Sequence, residues 1–371
     1  MSKLFEPVSL GKLSLPNRIV IAPMCQYSAE EGSATDWHLI HLGSLALSGA
    51  GLLIIEATAV SADGRITPTD LGLYSDANEV ALGRVLKAVR QYSSMPIAAQ
   101  ISHAGRKASS QAPWDGGKQI RPDGPGGWQA WAPSALPHAL GEIPPAELTL
   151  AEMARIRDGF AETARRAARI GLDGLELHGA HGYLLHSFLS PLSNTRTDAY
   201  GGSRGNRMRF PLECFEAVRA AFTADKPVWM RISAVDWVEG GLTIEDSITL
   251  SKELEARGAA AIHVSAGGVS YRQSIPLGPG YQVPLATAIR AAVGIPVMAV
   301  GLITEAEQAE AIVREGQADM VALGRAILYD PHWPWHAAAK LGAQVEAPKQ
   351  YWRSSPREVK DLFKGAFFGQ R

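Results

Sequence analysis

The sequence predicts an α/β protein, a (β/α)8 TIM barrel with long loops after strands 3 and 4 and a C-terminal tail. Three observations predict it. Short Val/Ile/Leu runs alternate eight times with longer amphipathic stretches, the pattern of a parallel sheet buried on both faces. The turn after the first run reads Ala22-Pro23-Met24-Cys25, where a doubly wound open sheet favours G-x-G-x-x-G. Setting aside a leader (1–17), two loops (106–148 and 183–206) and a tail (343–371) leaves a core of about 250 residues, the usual size of this barrel.

Each unit reads as a strand and then a helix. The first pair is Arg18–Ala22 with Trp37–Leu47, the second Gly51–Thr58 with Ala77–Tyr92. The third is Ile97–Ile101 with Ala151–Ile170, whose start carries the capping-box spacing Thr149-x-x-Glu152 and whose end is marked by Gly171. Leu172–Leu177 and Met208–Phe222 form the fourth. Val228–Ile232 and Ile244–Arg257 form the fifth, opened by Thr243-x-x-Asp246 and closed by Gly258. The sixth is Ala261–Val264 with Pro284–Ala292, ended by Gly294. The seventh is Pro296–Val300 with Ala306–Glu315, between Thr304-x-x-Glu307 and Gly316. Met320–Leu323 and Trp333–Lys340 complete the ring. One domain over 1–371 is expected, with its core at about 18–342 and its tail at 343–371. The loop after strand 3 holds Trp114, Trp128 and Trp131, and a loop that long is expected to be a lid or a binding loop.

Composition removes several function classes. Lys plus Arg (36) balance Asp plus Glu (37) without a basic run, so nucleic-acid or anionic-membrane binding has no electrostatic support. No run of 18 apolar residues is present, and the start lacks an apolar signal core, so neither a membrane span nor export is expected. Two cysteines, Cys25 and Cys214, cannot form a disulfide framework. The expected setting is the reduced cytoplasm.

The segment Leu177-His178-Gly179-Ala180-His181-Gly182-Tyr183 carries the chemistry. Two imidazoles three apart on the turn after a strand can aim two N–H donors at one oxygen, and a phenol two residues on can supply a proton. A metal site through Glu176-x-His178-x-x-His181 and a purely structural histidine pair are the alternatives. In this barrel the active site lies at the strand C-terminal ends. Those ends read Pro23-Met24-Cys25, Ala57-Thr58, Gln100, His178 with His181, Arg231, Ala266-Gly267-Gly268, Val300-Gly301 and Gly324-Arg325, a list that looks like the lining of a flavin pocket. Gly301, Gly324 and Arg325 follow strands 7 and 8, where such barrels bind phosphate. Arg231 at the mouth calls for an anionic partner, either an electron-rich ring or a carboxylate such as Glu176 or Glu56. Gln100 offers both donor and acceptor to the edge of a pyrimidine-like ring. Cys214 sits among apolar residues and reads as core filling, while His38 and His41 read as surface or packing residues.

With these motifs in order, the chain resembles the Old Yellow Enzyme family of flavin-dependent ene-reductases, in the subclass with an active-site cysteine, close to xenobiotic reductases. The resemblance runs from Leu4-Phe5-Glu6-Pro7 to Gly324-Arg325. It rests most on Ala22-Pro23-Met24-Cys25-Gln26-Tyr27, on Gln100-Ile101-Ser102-His103-Ala104-Gly105-Arg106, on His178 to Tyr183, and on Phe188-Leu189-Ser190-Pro191 through Asn206-Arg207. It implies bound FMN, with NADPH or NADH as co-substrate, and activated alkenes (enones, enals, maleimides, nitroalkenes) or xenobiotic nitro compounds as acceptors. It also implies contacts of Pro23, Met24, Ala57 and Gln100 with the flavin ring, Arg231 at the ring's N1/O2 edge, and Gly301, Gly324 and Arg325 on the phosphate. His178 and His181 then bind the acceptor oxygen, Tyr183 donates the proton, and Cys25 and Tyr27 sit near flavin and substrate. No metal is implied. A homo-oligomer, dimer or tetramer, is expected. Tyr351, Trp352 and Arg353 are the tail residues able to reach an active site in the same or a neighbouring subunit, with Trp352 taken as substrate-binding.

Three rivals remain. An iron–sulfur relative would need a cluster-binding set of cysteines, which two cannot supply. A flavin-free phosphate-binding lyase or isomerase would want Lys, Asp or Glu at strand ends, and none stands there. A non-catalytic ligand-binding barrel has no need of His178, His181 and Tyr183 together.

Overall fold

The computed structural model describes residues 2–367; the last four positions of the expected tail, 368–371, lie outside the described residues. Eight parallel strands close into a barrel in sequential order. They are β1 (Ile19–Ile21), β2 (Leu52–Ala59), β3 (Ile97–Ser102), β4 (Gly174–Gly179), β5 (Val228–Ser233), β6 (Ile262–Ser265), β7 (Val297–Val300) and β8 (Met320–Leu323). All their residues are buried, as the unbroken apolar runs require. The helices are α1 (Asp36–Ala46), α2 (Asp76–Val89), α3 (Leu150–Arg169), α4 (Leu184–Leu189), α5 (Arg204–Ala221), α6 (Ile244–Ala256), α7 (Val283–Arg290), α8 (Ala306–Arg314), α9 (Arg325–Tyr329) and α10 (Trp333–Leu341). The eight expected units are therefore all present, and the barrel is a (β/α)8 barrel.

Local chemistry explains most boundaries. Thr149 and Thr243 both form capping boxes, with the Glu152 and Asp246 carboxylates reaching back to the cap N–H groups, each box worth about 1 kcal/mol to its helix. The third expected box is not formed. Glu305, not Thr304, is the cap of α8, and the Thr304 N–H donates to Gln308 Oε1 instead. Gly171, Gly258 and Gly316 take the left-handed conformation after their helices; Gly294 does not, because α7 already ends at Arg290. Helix α5 starts four residues before the expected Met208, since Ser203 Oγ accepts from the Asn206 N–H and the chain turns helical there. Of the two readings of His38, surface or packing, the structure shows packing. The side chain is fully buried, its Nδ1 accepts from the Thr35 N–H at the start of α1, and its Nε2 lies 3.3 Å from Glu56.

Two features were not expected. A short hairpin, Val8–Leu10 against Leu13–Leu15, closes the barrel's N-terminal end. Its Leu10 and Leu15 pack on the interior layer of Val20, Leu52, Ile54, Trp229, Met298 and Met320, so the lower barrel is solid. The tail is also ordered: Val345 bridges to Phe363, and both pack with Trp335 and Leu362. Among the described residues no helix is long and apolar enough to cross a membrane.

Candidate active site

A buried carboxylate anchors the upper barrel. Glu176 on β4 accepts from Gln100 Nε2 (2.7 Å), Trp229 Nε1 (2.6 Å) and His263 Nδ1 (2.7 Å). Burial opposes its charge, but His263 and these bonds outweigh that and hold the carboxyl below its usual range. Its oxygens are thereby committed, away from His178 and His181. Among the described residues no three His, Cys, Asp or Glu side chains are grouped to hold a metal.

Arg231 on β5 lies in register between His178 on β4 and His263 on β6. It is buried, its Nε has no partner, and no carboxylate forms an ion pair with it among the described residues; Glu176 pairs with His263 instead. Burial pulls its pKa down despite the field of Glu176. A guanidinium so placed could take an anion that enters the mouth.

The two histidines and the tyrosine converge beside it. The His178 and His181 ring centroids are 5.1 Å apart, and His178 and Tyr183 are 4.7 Å apart, both edge to face. The His178 Nδ1 accepts from the Ala180 N–H (3.3 Å), which leaves its proton on Nε2. His181 is held in the left-handed region (φ 58°) by two bonds: its N–H donates to Ser233 Oγ, and its carbonyl accepts from Lys107 Nζ at 2.9 Å. The loop after β6 locks it further. A Cβ on Gly182 would sit 2.2 Å from the Gly268 carbonyl, and one on Gly268 would sit 2.5 Å from His181 Cα. Burial, reinforced by Arg231, pushes both imidazoles well below their ordinary pKa, so both are neutral at pH 7. Burial pushes the Tyr183 phenol well above its usual value. Lys107 lies 5.0 Å above the Tyr183 ring, and burial lowers its pKa to about 8.

Strand β1 supplies the opposite wall. Gln26 N–H donates to Glu56 Oε2 (2.7 Å) and Gln26 Nε2 to the Met24 carbonyl (2.8 Å), fixing the turn that carries Met24, Cys25 and Tyr27. Glu56 reaches that turn from a register irregularity in β2, between Ile55 and Ala57. Cys25, Trp128 and Tyr183 pack against one small cluster of Ile66, Ala104, Ala108 and Ala130, and burial, then Asp70 and Glu56, raise the Cys25 thiol pKa well above normal. Tyr27 meets Trp114 of the long loop edge to face at 5.5 Å. Trp128 of that loop donates to the Asp63 carbonyl and stacks under Arg65.

Gly301 (φ 115°) follows β7; Gly324 follows β8, within contact of Met24, and opens α9 with an exposed Arg325. Pro23 follows β1, while Ala57 and Gln100 pair inside β2 and β3, two residues before those strands end. Trp352 is elsewhere. It donates to the Ala347 carbonyl and lies by Gln91 and Tyr92, at the barrel's N-terminal end, so within one chain it is remote from His178. Cys214 is fully buried in the outer core. Asp198 pairs with Arg196 at 2.6 Å, as loop architecture.

Comparison with known proteins agrees with this geometry. Residues 3–344 match the NADH:flavin oxidoreductase / NADH oxidase family. The chain belongs to it. A curated relative, the NADPH dehydrogenase of Geobacillus thermodenitrificans, is 43% identical over 352 residues, 94% of this chain and 98% of that protein. Among solved structures, morphinone reductase in complex with tetrahydroNAD superposes with a TM-score of 0.75 at 30% identity, over 94% of this chain and 93% of that one. A 2-naphthoyl-CoA reductase complex superposes with a TM-score of 0.82 at 26% identity over 92% of this chain; the chain spans only 52% of that protein. This is therefore an Old Yellow Enzyme, an oxidoreductase that uses FMN with NADPH or NADH. The unpartnered Arg231 at the mouth fits such a cofactor, whose ring becomes electron-rich on reduction.

Several residues of this Old Yellow Enzyme's site were not singled out from the sequence. Lys107, Ser233, Ser265 and His263 stand in or soon after strand ends, and that position was the available signal; Gln282, the cap of α7, had none. His186 and Asp236 left none. His186 Nδ1 accepts from the Gly182 N–H (2.8 Å) and its Nε2 meets Asp236 Oδ1 (2.9 Å), a fully buried latch between the loops after β4 and β5.

Proposed function

We propose that this Old Yellow Enzyme reduces the C=C bond of activated alkenes, among them enones, enals, maleimides and nitroalkenes, with nitro compounds as further acceptors. The observation that carries this reading is the convergence of His178, His181 and Tyr183 beside the unpaired Arg231. When bound, FMN supplies the hydride chemistry between the nicotinamide and the alkene carbon. Pro23, Met24, Ala57 and Gln100 would seat its ring, Arg231 would balance the negative charge there, and Gly301, Gly324 and Arg325 would hold its phosphate. His178 and His181 bind the oxygen that gains charge as hydride adds, and a preorganised donor there is worth roughly 2.7–4 kcal/mol. Tyr183 holds its proton over the carbon that must receive it. The test is a turnover panel of cyclohexenone, N-methylmaleimide and a nitroalkene with both nucleotides. NAD(P)H oxidation matched to alkene loss is expected; nucleotide oxidation by oxygen alone would sink the alkene reading.

Cys25 and Tyr27 line the same space. A protonated thiol at this position could hydrogen-bond the ring and tune its potential, which supports membership of the cysteine subclass. Cys25→Ser is expected to shift the flavin midpoint potential and change the reductive and oxidative half-reactions unequally. An unchanged potential measured by dye equilibration would return Cys25 to a packing role. Trp352 meets substrate only in a neighbouring subunit on this reading, within a dimer or tetramer. Both cysteines are free, which supports a cytoplasmic setting.

A further inference from the structure

The turn between β4 and α4 carries His181 and Tyr183 on either side of one glycine. His181 (φ 58°) and Gly182 (φ 77°) are both left-handed, and Tyr183 follows at the cap of α4. A residue with a side chain keeps such a conformation only when its surroundings fix it. Helix α4 grips the middle of this turn from behind. The Gly182 N–H donates to His186 Nδ1 at 2.8 Å, and the Gly182 carbonyl accepts from Ser187 Oγ at 3.0 Å.

The protons of this cluster are set by donors that cannot reverse. A backbone N–H can only donate, so His186 Nδ1 is bare and its proton sits on Nε2. That proton goes to Asp236 Oδ1 at 2.9 Å. Asp236 Oδ2 accepts from the Leu242 N–H at 2.7 Å and from Ser190 Oγ at 2.6 Å. Burial opposes the Asp236 charge, but His186 and these bonds outweigh it and hold the carboxyl below its usual range. His186, Ser190 and Asp236 are fully buried, so none of them is open to the mouth.

We propose that His186 and Asp236 are positioning residues for the acceptor site: the carboxylate sets the imidazole's proton, and the imidazole holds the turn that aims His181 and Tyr183. Asp236 lies on the loop after β5, so the order of that loop is felt at the acceptor oxygen. This rests on the reading of His178, His181 and Tyr183 as the groups that act on the acceptor. Asp236→Asn breaks the device with almost no change of volume. The Leu242 N–H keeps the amide oxygen, which turns the amide nitrogen toward His186. The imidazole must then accept at Nε2 and carry its proton on Nδ1, where it meets the Gly182 N–H donor to donor.

The test measures 4-nitrophenol affinity and cyclohexenone turnover in the holoenzyme. Asp236→Asn and His186→Leu should each weaken 4-nitrophenol about tenfold, the effect of one buried hydrogen bond. Turnover should fall by up to about 10²-fold, because two acting groups are mis-aimed at once. FMN content and the flavin midpoint potential should not move, since Arg231 and the ends of β7 and β8 are untouched. His186→Asn, whose Oδ1 can take the Gly182 N–H, should recover most of the phenol affinity. A general loosening of the fold gives losses that add to those of His181→Ala. Action through the turn predicts that His186→Leu costs little further affinity on a His181→Ala background. Full additivity in that cycle, wild-type affinity in His186→Leu, or equal losses in His186→Leu and His186→Asn overturns the proposal. If His181→Ala alone leaves 4-nitrophenol affinity unchanged, the underlying reading of the histidine pair fails instead. Should Asp236→Asn lose FMN, the two His186 variants decide.

Discussion

Tyr183→Phe enzyme is expected to accept electrons from NADPH at the wild-type rate, yet pass them to cyclohexenone up to about 10²–10⁴-fold more slowly. Tyr183 opens α4, packed edge to face on His178 and in the apolar cluster that holds Cys25. Burial keeps its phenol protonated far beyond neutral pH, so an acid is always present. Below the folded pKa the group is fully protonated, and no loss of rate from its titration is expected between about pH 6 and about pH 9. A nitroalkene should suffer least, because its nitronate survives long enough to take a proton from solvent. Stopped-flow reoxidation of the reduced variant by the two acceptors measures this. Undiminished rates with cyclohexenone would show that water or another group delivers the proton.

His178→Ala should lower the rate of cyclohexenone reduction by about 10²–10³-fold, the effect of removing one preorganised donor from a developing oxyanion. His181→Ala should cost less, because the Nε2 of His181 is already engaged by Ser265 while that of His178 is free. Both variants should weaken phenolic ligands and retain FMN, since Arg231 and the ends of β7 and β8 are untouched. Loss of activity on chelation, or a stoichiometric metal in the purified protein, would instead favour the ligand-set reading of the same histidines.

The barrel was readable because its signal is repeated. Eight apolar runs, each followed by an amphipathic stretch, leave little freedom, and the strand ends then put His178, Arg231 and Gly324 on one face. Two of the three expected capping boxes formed, since Thr149 and Thr243 stand immediately before their helices; Thr304 stands one residue too early. What could not be read depends on contacts distant in sequence. Glu176 was weighed as a metal ligand or a partner for Arg231, but its three donors come from β3, β5 and β6. His38 read as surface or packing, and only the Thr35 N–H and Glu56, which meet it in the interior, decide for packing. The hairpin at 8–15 is too short to show a period, and the place of Trp352 depends on a tail that folds back beneath the barrel.

The hairpin has a kinetic corollary. With Leu10 and Leu15 stoppering the base, the barrel is a vessel with one opening, and everything that reaches the floor of the mouth must come and go by the same door. On the proposed function, a nicotinamide and an acceptor would both need the space beside His178 and Tyr183, and would have to take turns. Initial-rate plots at several fixed acceptor concentrations should then run parallel rather than converge, and an excess of either visitor should delay the other by occupying the doorway.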